Sequence, residues 1–407
     1  MTEEQAPGTT SAGPLRNPGF RWFFAGRLVS LAGSAMAPVA LAFAVLDATH
    51  SAGSLGVVLA ARSVPMLLFL LIGGVVGDRF PRRTVLLVAN LGAAATQGTA
   101  AALFLTGGFH LAAIAALEFA NGVLTAFTTP ALRGIVPQLV EPDQRQRANS
   151  LLGSSKNLSS IVGPSLAGTL VLTAGSGWAI AIDALTYLLA AACLARLTLP
   201  GAVEVGRAGF LHELREGWTA FRALTWVCLT VLAFAATNAI YVGVWNVLGP
   251  TIADTTIGAA AWGLILSARA IGTLVATTAL YRLRARSLPT GLLCFATGAL
   301  PLIALALSAP VWLLVATSLI AGIGHGTMAI TWETLLQQKV PNTLLSRISA
   351  YDDLVSFAAV PVGQLAVAPL AAATGQTEAM LLGGILFALI VTLPLLSPSV
   401  RHPSSTP

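Results

Sequence analysis

Charge is what this sequence has least of. Only 9% of its 407 residues are Asp, Glu, Lys or Arg, against about 25% in an ordinary soluble domain. That scarcity excludes a set of water-soluble domains. Cysteine is also rare. Cys193, Cys228 and Cys294 each lie in an apolar run without metal-ligand spacing, so they are expected to be buried thiols rather than a disulfide framework or a zinc site. A Gly-x-x-x-x-Gly-Lys-Ser/Thr loop is missing, which excludes a nucleotide-driven pump on this chain. The sequence shows neither a His/Cys/Asp/Glu metal cluster nor a Ser-His-Asp set with a plausible site. The chain is therefore not read as an enzyme, and no metal or cofactor is expected. The net charge of +6 is spread over many short loops, a membrane-orientation pattern rather than a nucleic-acid footprint. Residues 2–17 lack the basic-then-apolar order of a signal peptide, so no cleaved leader is expected.

Apolar length is abundant. Apolar residues make up 56% of the chain and mean hydropathy is +0.81. A membrane helix needs about 20 apolar residues. Twelve runs meet that length: 21–46, 53–77, 84–106, 110–132, 149–173, 178–196, 225–248, 261–281, 288–307, 311–332, 352–374 and 378–397. They are called spans 1 to 12. The turns after spans 1, 3, 5, 7, 9 and 11 contain no Lys or Arg, whereas the alternate loops hold Arg79, Arg82, Arg83, Arg133, Arg145, Arg147, Arg207, Arg215, Arg282, Arg284, Arg286, Lys339 and Arg347. By the positive-inside rule the basic loops and both termini are cytoplasmic. Arg outnumbers Lys twenty to two, and with abundant Ala this points to a high-GC bacterium and its plasma membrane.

The longest loop, 197–224, places Phe210, Leu211, Leu214, Trp218 and Phe221 at three- and four-residue spacing. This is the pattern of an amphipathic helix at the membrane surface. It divides the chain into a tail, 1–20, a six-helix bundle, 21–196, the linker, a second bundle, 225–397, and a tail, 398–407. The bundles repeat each other. The nine residues from Gly56 reappear from Gly263, 207 residues later, with Arg62 falling on Arg269 and Asp47 on Asp254. Val136-Pro137 is matched with Val340-Pro341, and Gly163 with Gly363. Matching spans run in the same direction, so the repeat is parallel.

Between spans 2 and 3 runs Gly73-Gly74-Val75-Val76-Gly77-Asp78-Arg79-Phe80-Pro81-Arg82-Arg83. Gly74, Asp78, Arg79, Arg82 and Arg83 resemble the loop signature of the major facilitator superfamily, with Pro81 in place of its second Gly. In span 5, Gly163-Pro164 followed by small residues resembles the motif of that superfamily's drug:proton antiporters. The resemblance extends over residues 17 to 397 and is strongest for the bacterial drug, macrolide and siderophore exporters. It implies an all-α fold of twelve membrane helices in two pseudo-symmetric six-helix bundles, and rocker-switch alternating access. It also implies that Gly74, Asp78, Arg79, Arg82, Arg83, Gly163 and Pro164 serve gating, with Arg133 a candidate contact for Asp78.

The same resemblance makes spans 1, 4, 7 and 10 the walls of a central cavity. Each carries a polar stripe: Arg27, Ser30 and Ser34; Glu118, Asn121, Thr125 and Thr128; Asn238, Tyr241 and Trp245; Ser318, Gly322, His325 and Trp332. Polar groups facing lipid would go unsatisfied, so the stripes face water or protein. They line a substrate path or hold the bundle together. Arg27, Arg62, Glu118, Lys156, Asp183 and Arg269 can carry charge at depth, each at a cost of roughly 2.5–3.5 kcal/mol at a helix centre. Arg27 and Lys156 can snorkel to the cytoplasm, and Asp183 is near the outer end of a peripheral helix. Arg62, Arg269 and Glu118 lie deeper, roughly 12–14 Å below the outer surface. They form either a buried ion pair or a functional site. Glu118 stands where the antiporters carry a basic residue, so their proton mechanism does not transfer residue by residue.

The expected function is proton-coupled efflux of a small amphipathic compound, such as a drug, antibiotic, siderophore or other metabolite, by a monomer in the bilayer. Protons and the small molecule are its expected partners. Glu118, Arg62, Asp183 and His325 are the coupling candidates. Arg27, Ser30, Ser34, Asn121, Thr125, Asn238, Tyr241, Trp245, Arg269 and His325 are the cavity candidates. Uptake or facilitated diffusion by the same fold is the alternative. A membrane enzyme or receptor would need a catalytic cluster or soluble domain that the chain does not show.

Overall fold

The computed structural model describes residues 13–197, 218–219, 221–280 and 287–403. Within them the side chains at 70–79, 133, 279–280, 342–343 and 346–347 are left undescribed. Among the described residues, twelve helices are long and apolar enough to cross a membrane. They coincide with the twelve expected spans, and the chain is a multi-pass membrane protein. Most of the expected linker, Phe210 to Leu214 included, lies outside the described residues. Trp218 and Phe221 stack on each other and on Tyr351.

Several helices outrun their apolar stretches. Span 4 is Leu111–Leu139 and span 10 is Val311–Lys339, while span 11 begins ten residues early, at Asn342. Hydropathy registers only the part in hydrocarbon, whereas backbone hydrogen bonding continues the helix beyond it. Span 1, Pro18–Thr49, starts where its local chemistry dictates. The Asn17 side chain accepts hydrogen bonds from the amides of Gly19 and Phe20, and Pro18 fills the first helical position, where its missing N–H costs nothing. Asn17 Nδ2 also donates to the Leu139 carbonyl at 2.7 Å, tying the start of span 1 to the end of span 4. Span 7 is not uniformly α. Thr225–Ile240 passes into a π-helix, Tyr241–Leu248, then into Gly249–Thr256.

The internal repeat is visible in the helix bounds. Span 1 and span 7 (Thr225–Thr256) are both 32 residues long, 207 apart. Spans 4 and 10 are both 29 residues long and start at 111 and 311. Spans 6 and 12 start after Gly175 and Gly375, whose φ angles are 95° and 102°. The register is thus 207 in spans 1 and 2 and 200 from span 4 onward. This corrects one expected pairing: Val340 matches Val140, the extended residue that ends span 4, and not Val136. The Val-Pro likeness is four residues out of step because it ignores where the two helices stop.

Within the first half, span 2 packs on span 4, span 1 on spans 5 and 6, and span 3 on spans 4 and 6. The second half repeats this set. The halves meet along two seams, span 2 against span 11 and span 5 against span 8. At those seams a Cβ on Gly56 would collide with the carbonyl oxygen of Gln364, and one on Gly263 with that of Pro164. Glycine at these two equivalent positions lets backbone touch backbone.

The cores divide unequally. At the arginine-free end one apolar cluster spans both halves, from Met36–Leu46 and Leu55 to Val244–Leu248, Trp262 and Leu302. At the arginine-rich end each half has its own cluster. Phe20, Phe23, Ile135 and Leu139 belong to one, and Trp226, Trp332, Leu336 and Ile348 to the other. The halves are therefore fastened at one end and stand separately at the other.

Candidate functional site

The deepest polar side chains of the first half converge on one place. Glu118 is 0% exposed. Its Oε2 lies 3.7 Å from Nη1 of Arg62, and its Oε1 accepts a 2.9 Å hydrogen bond from Gln97. A buried carboxylate requires such partners, because an isolated one would cost several kcal/mol. Span 2 comes close enough to span 4 for this pairing because a Cβ at Gly122 would strike the Arg62 carbonyl. Asp183 and Tyr187, one turn apart on span 6, interact electrostatically with the same arginine. Asp183 was expected near the outer end of a peripheral helix; the structure turns it inward at 1% exposure, with Oδ1 lacking a hydrogen-bond partner. Tyr187 and Gln97 were missed by the sequence reading. Their only signal was placement on the same helical face as Asp183 and across from Glu118.

A cavity of about 220 Å³ opens beside this cluster, and its walls are Arg27, Ser30, Ser34, Arg62, Asn121, Thr125, Thr128 and Tyr187, with apolar residues of spans 1, 3, 4 and 6. The stripes of spans 1 and 4 are thus brought together, in a cavity lined by the first half alone. Ser34 Oγ lies 3.1 Å from Tyr187 Oη. Arg62 lines the cavity and pairs with Glu118, which is not itself part of the lining. Lys156 is exposed and lines a second groove of about 230 Å³ with Arg27 and Asn149.

The second-half candidates do not join that cavity. Asn238 donates to the Ser356 carbonyl at 2.9 Å, bridging spans 7 and 11. Trp245 is buried between Tyr241 and Trp262. The Arg269 guanidinium lies 4.1 Å above the Tyr241 ring. His325 is exposed on span 10 with its ring 5.7 Å from Phe295. Asp352, which the sequence reading did not single out, accepts from Trp332 Nε1 at 2.6 Å and from Ser356.

The loop candidates divide as well. Arg82 donates to the Gly134 carbonyl, and Arg83 donates to those of Leu194 and Ala195. Both arginines neutralise carbonyls near the ends of spans 4 and 6, within the first half. The side chains at Gly74, Asp78, Arg79 and Arg133 lie outside the described residues. Gly163 packs on Ala35 of span 1, and next to it Ser165 Oγ meets Ser267 Oγ of span 8 at 2.7 Å. The Gly163-Pro164 pair therefore sits on the seam between the halves.

Two repeated six-helix halves, two seams and a polar cavity that no soluble phase could line define a membrane transporter of the major facilitator superfamily. Within it, the chain belongs to the family described as transmembrane secretion effector, whose model matches residues 9–404. It is similar to the multidrug efflux pump Tap of Mycolicibacterium fortuitum, with 25% identity over 92% of this chain and 94% of that one. Similarity to the enterobactin exporter EntS of Escherichia coli O9:H4 (strain HS) is 25% identity over 96% and 94%. In fold it matches the crystal structure of the peptide transporter POT, with a TM-score of 0.75, 14% sequence identity and coverage of 97% of this chain and 96% of that one.

Proposed function

We propose that the chain exports a small amphipathic compound from a bacterial cytoplasm in exchange for protons. It works as a single polypeptide in the plasma membrane, moves its cargo without covalent chemistry, and keeps both termini inside. The observation that carries this reading is the Arg62–Glu118–Asp183–Tyr187 cluster on the wall of the first-half cavity. Burial raises the proton affinity of a carboxylate and a nearby arginine lowers it. A movement that alters the Arg62–Glu118 distance therefore changes how far the negative charge of the cluster is compensated. Family membership and the exporters among the similar proteins support outward cargo movement. The separate cores at the arginine-rich end support a form open to the cytoplasm, from which cargo and proton sites are both reached.

The test is transport in everted vesicles with an imposed pH gradient. Ethidium, a small amphipathic cation, and 2-naphthoate, an anion, serve as probes. The wild type should accumulate at least one of them, and Glu118→Gln should bind it but lose gradient-driven accumulation. Accumulation in right-side-out vesicles alone would establish uptake. Uphill transport by Glu118→Gln at the wild-type rate would place the coupling site elsewhere, with Asp183 and His325 the next to replace.

A further inference from the structure

The two halves share a framework but not its chemistry. Arg62 and Arg269 are equivalent, and their carbonyls are touched by equivalent glycines, Gly122 and Gly322. Around Arg62 the first half supplies acids. At the 200-residue register Ser318 stands where Glu118 stands, Gly383 where Asp183 stands, and Phe387 where Tyr187 stands. At the 207-residue register Tyr241 takes the place of Ser34. The second half has kept the arginine and lost both carboxylates.

Arg269 consequently lacks, among the described residues, the counter-charge that Arg62 has. Among the described residues no carboxylate lies within ion-pair distance of it, and its contact is with the face of Tyr241. His325 is within range of its charge and is exposed, while Arg269 itself keeps accessible surface. The unpaired buried polar atoms beside it agree. In the first half they include the carboxylate oxygens of Glu118 and Asp183. In the second half they are Tyr241 Oη, Trp245 Nε1 and Ser318 Oγ, all able to donate, with the acceptor Gln364 Oε1 on span 11, while Asn121 Nδ2 is the one donor among those of the first half. A charge at membrane depth needs a partner, and donors around an arginine fit an anion.

Resting on the exporter reading, we propose that the second half recognises an anionic group, a carboxylate or phenolate, attached to a ring of the cargo. Arg269 supplies the counter-charge, Ser318 and His325 supply hydrogen-bond donors, and the rings of Tyr241, Phe295 and Phe387 supply the apolar wall. The first half handles the proton and the second half the cargo's negative charge.

The experiment uses purified full-length protein in lipid nanodiscs without any gradient. Two probes differ only in charge: 2-naphthoate and the uncharged 2-naphthamide. Binding is read by calorimetric titration. The wild type should bind the naphthoate at least about tenfold more tightly than the amide. Arg269→Gln should remove that preference and leave the amide within about twofold, and Arg269→Lys should retain part of it. Ser318→Glu rebuilds the first-half ion pair around Arg269, so it should also abolish naphthoate binding, in a protein whose arginine is intact. Equal binding of both probes by the wild type overturns the proposal. An undiminished preference in Arg269→Gln, or in Ser318→Glu if the glutamine variant does not fold, does the same. Because no transport is measured, a charge preference that follows Arg269 stands even if vesicle assays refute export. Export that proceeds without any such preference refutes only the anion site.

Discussion

Replacing Glu118 and Arg62 singly and together separates a coupled pair from two independent buried groups. The charges are 3.7 Å apart, with Glu118 fully enclosed. At an effective dielectric constant of about 20 the attraction is about 4.5 kcal/mol. Glu118→Leu leaves Arg62 with Asp183 as its remaining acid and Gln97 without its acceptor, while Arg62→Leu leaves the Glu118 carboxylate with Gln97 alone. Each single change should cost about 3–5 kcal/mol, as expected when one partner of a buried pair is removed. The double change removes both charges but also takes Arg62 from Asp183, so it should cost less than the sum of the two single changes. A coupling energy of about 3 kcal/mol is expected. The measurement is reversible unfolding by SDS in mixed micelles, monitored by tryptophan fluorescence. Single effects that add to within about 0.5 kcal/mol would show that the pair is not coupled, and the proton switch built on it would fall.

Three further outcomes follow from the same geometry. In a chain freed of Cys193, Cys228 and Cys294, cysteines placed at Thr49, Gly107, Thr256 or Thr377 should react with an impermeant thiol reagent added outside. Those placed at Thr84, Gln144, Gly206 or Asn342 should not, and the reverse pattern would invert the orientation. Asn17→Ala should lower stability by about 1 kcal/mol or more in the same SDS titration, since it removes both a helix cap and the tie to Leu139; no change would mean the cap is replaced by water. Gly122→Leu should cost about 1–3 kcal/mol from overpacking and reduce transport in vesicles, because the leucine must push span 4 off the Arg62 carbonyl. Wild-type stability would refute that close approach.

The number of the helices was legible because a span needs uniform apolar length. The Glu118–Arg62 meeting was anticipated from equal depth alone. Gln97 and Tyr187 were not, since a neutral side chain carries no signature at depth. Asp183 was named as a coupling candidate, but its inward facing was not legible, because counting from the helix end gives depth and not the direction in which a residue faces. The π-helix in span 7 left no trace in hydropathy. The divergence between Arg62 and Arg269 needed the correct register, which the Val136-Pro137 pairing would have shifted by one turn of helix.

The glycine seams have a mechanical consequence. Where side chains interlock, one surface slides past another only by changing rotamers, and each change adds friction. At Gly56 and Gly263 the halves meet backbone to backbone, and beside Gly263 a single hydroxyl pair, Ser165 with Ser267, bridges them. Such a seam behaves as a plain bearing, in which rolling costs little and the contact is never lost. The resistance to motion then lies in the apolar cluster that fastens the arginine-free ends, a latch set at the bearing itself, with Leu55, Val58, Trp262 and Ile265 beside the two glycines. Latch and bearing thus sit at one end, and apolar substitutions at Phe43, Leu46 or Leu248 should alter the speed of switching while the glycines keep the path along which the halves turn.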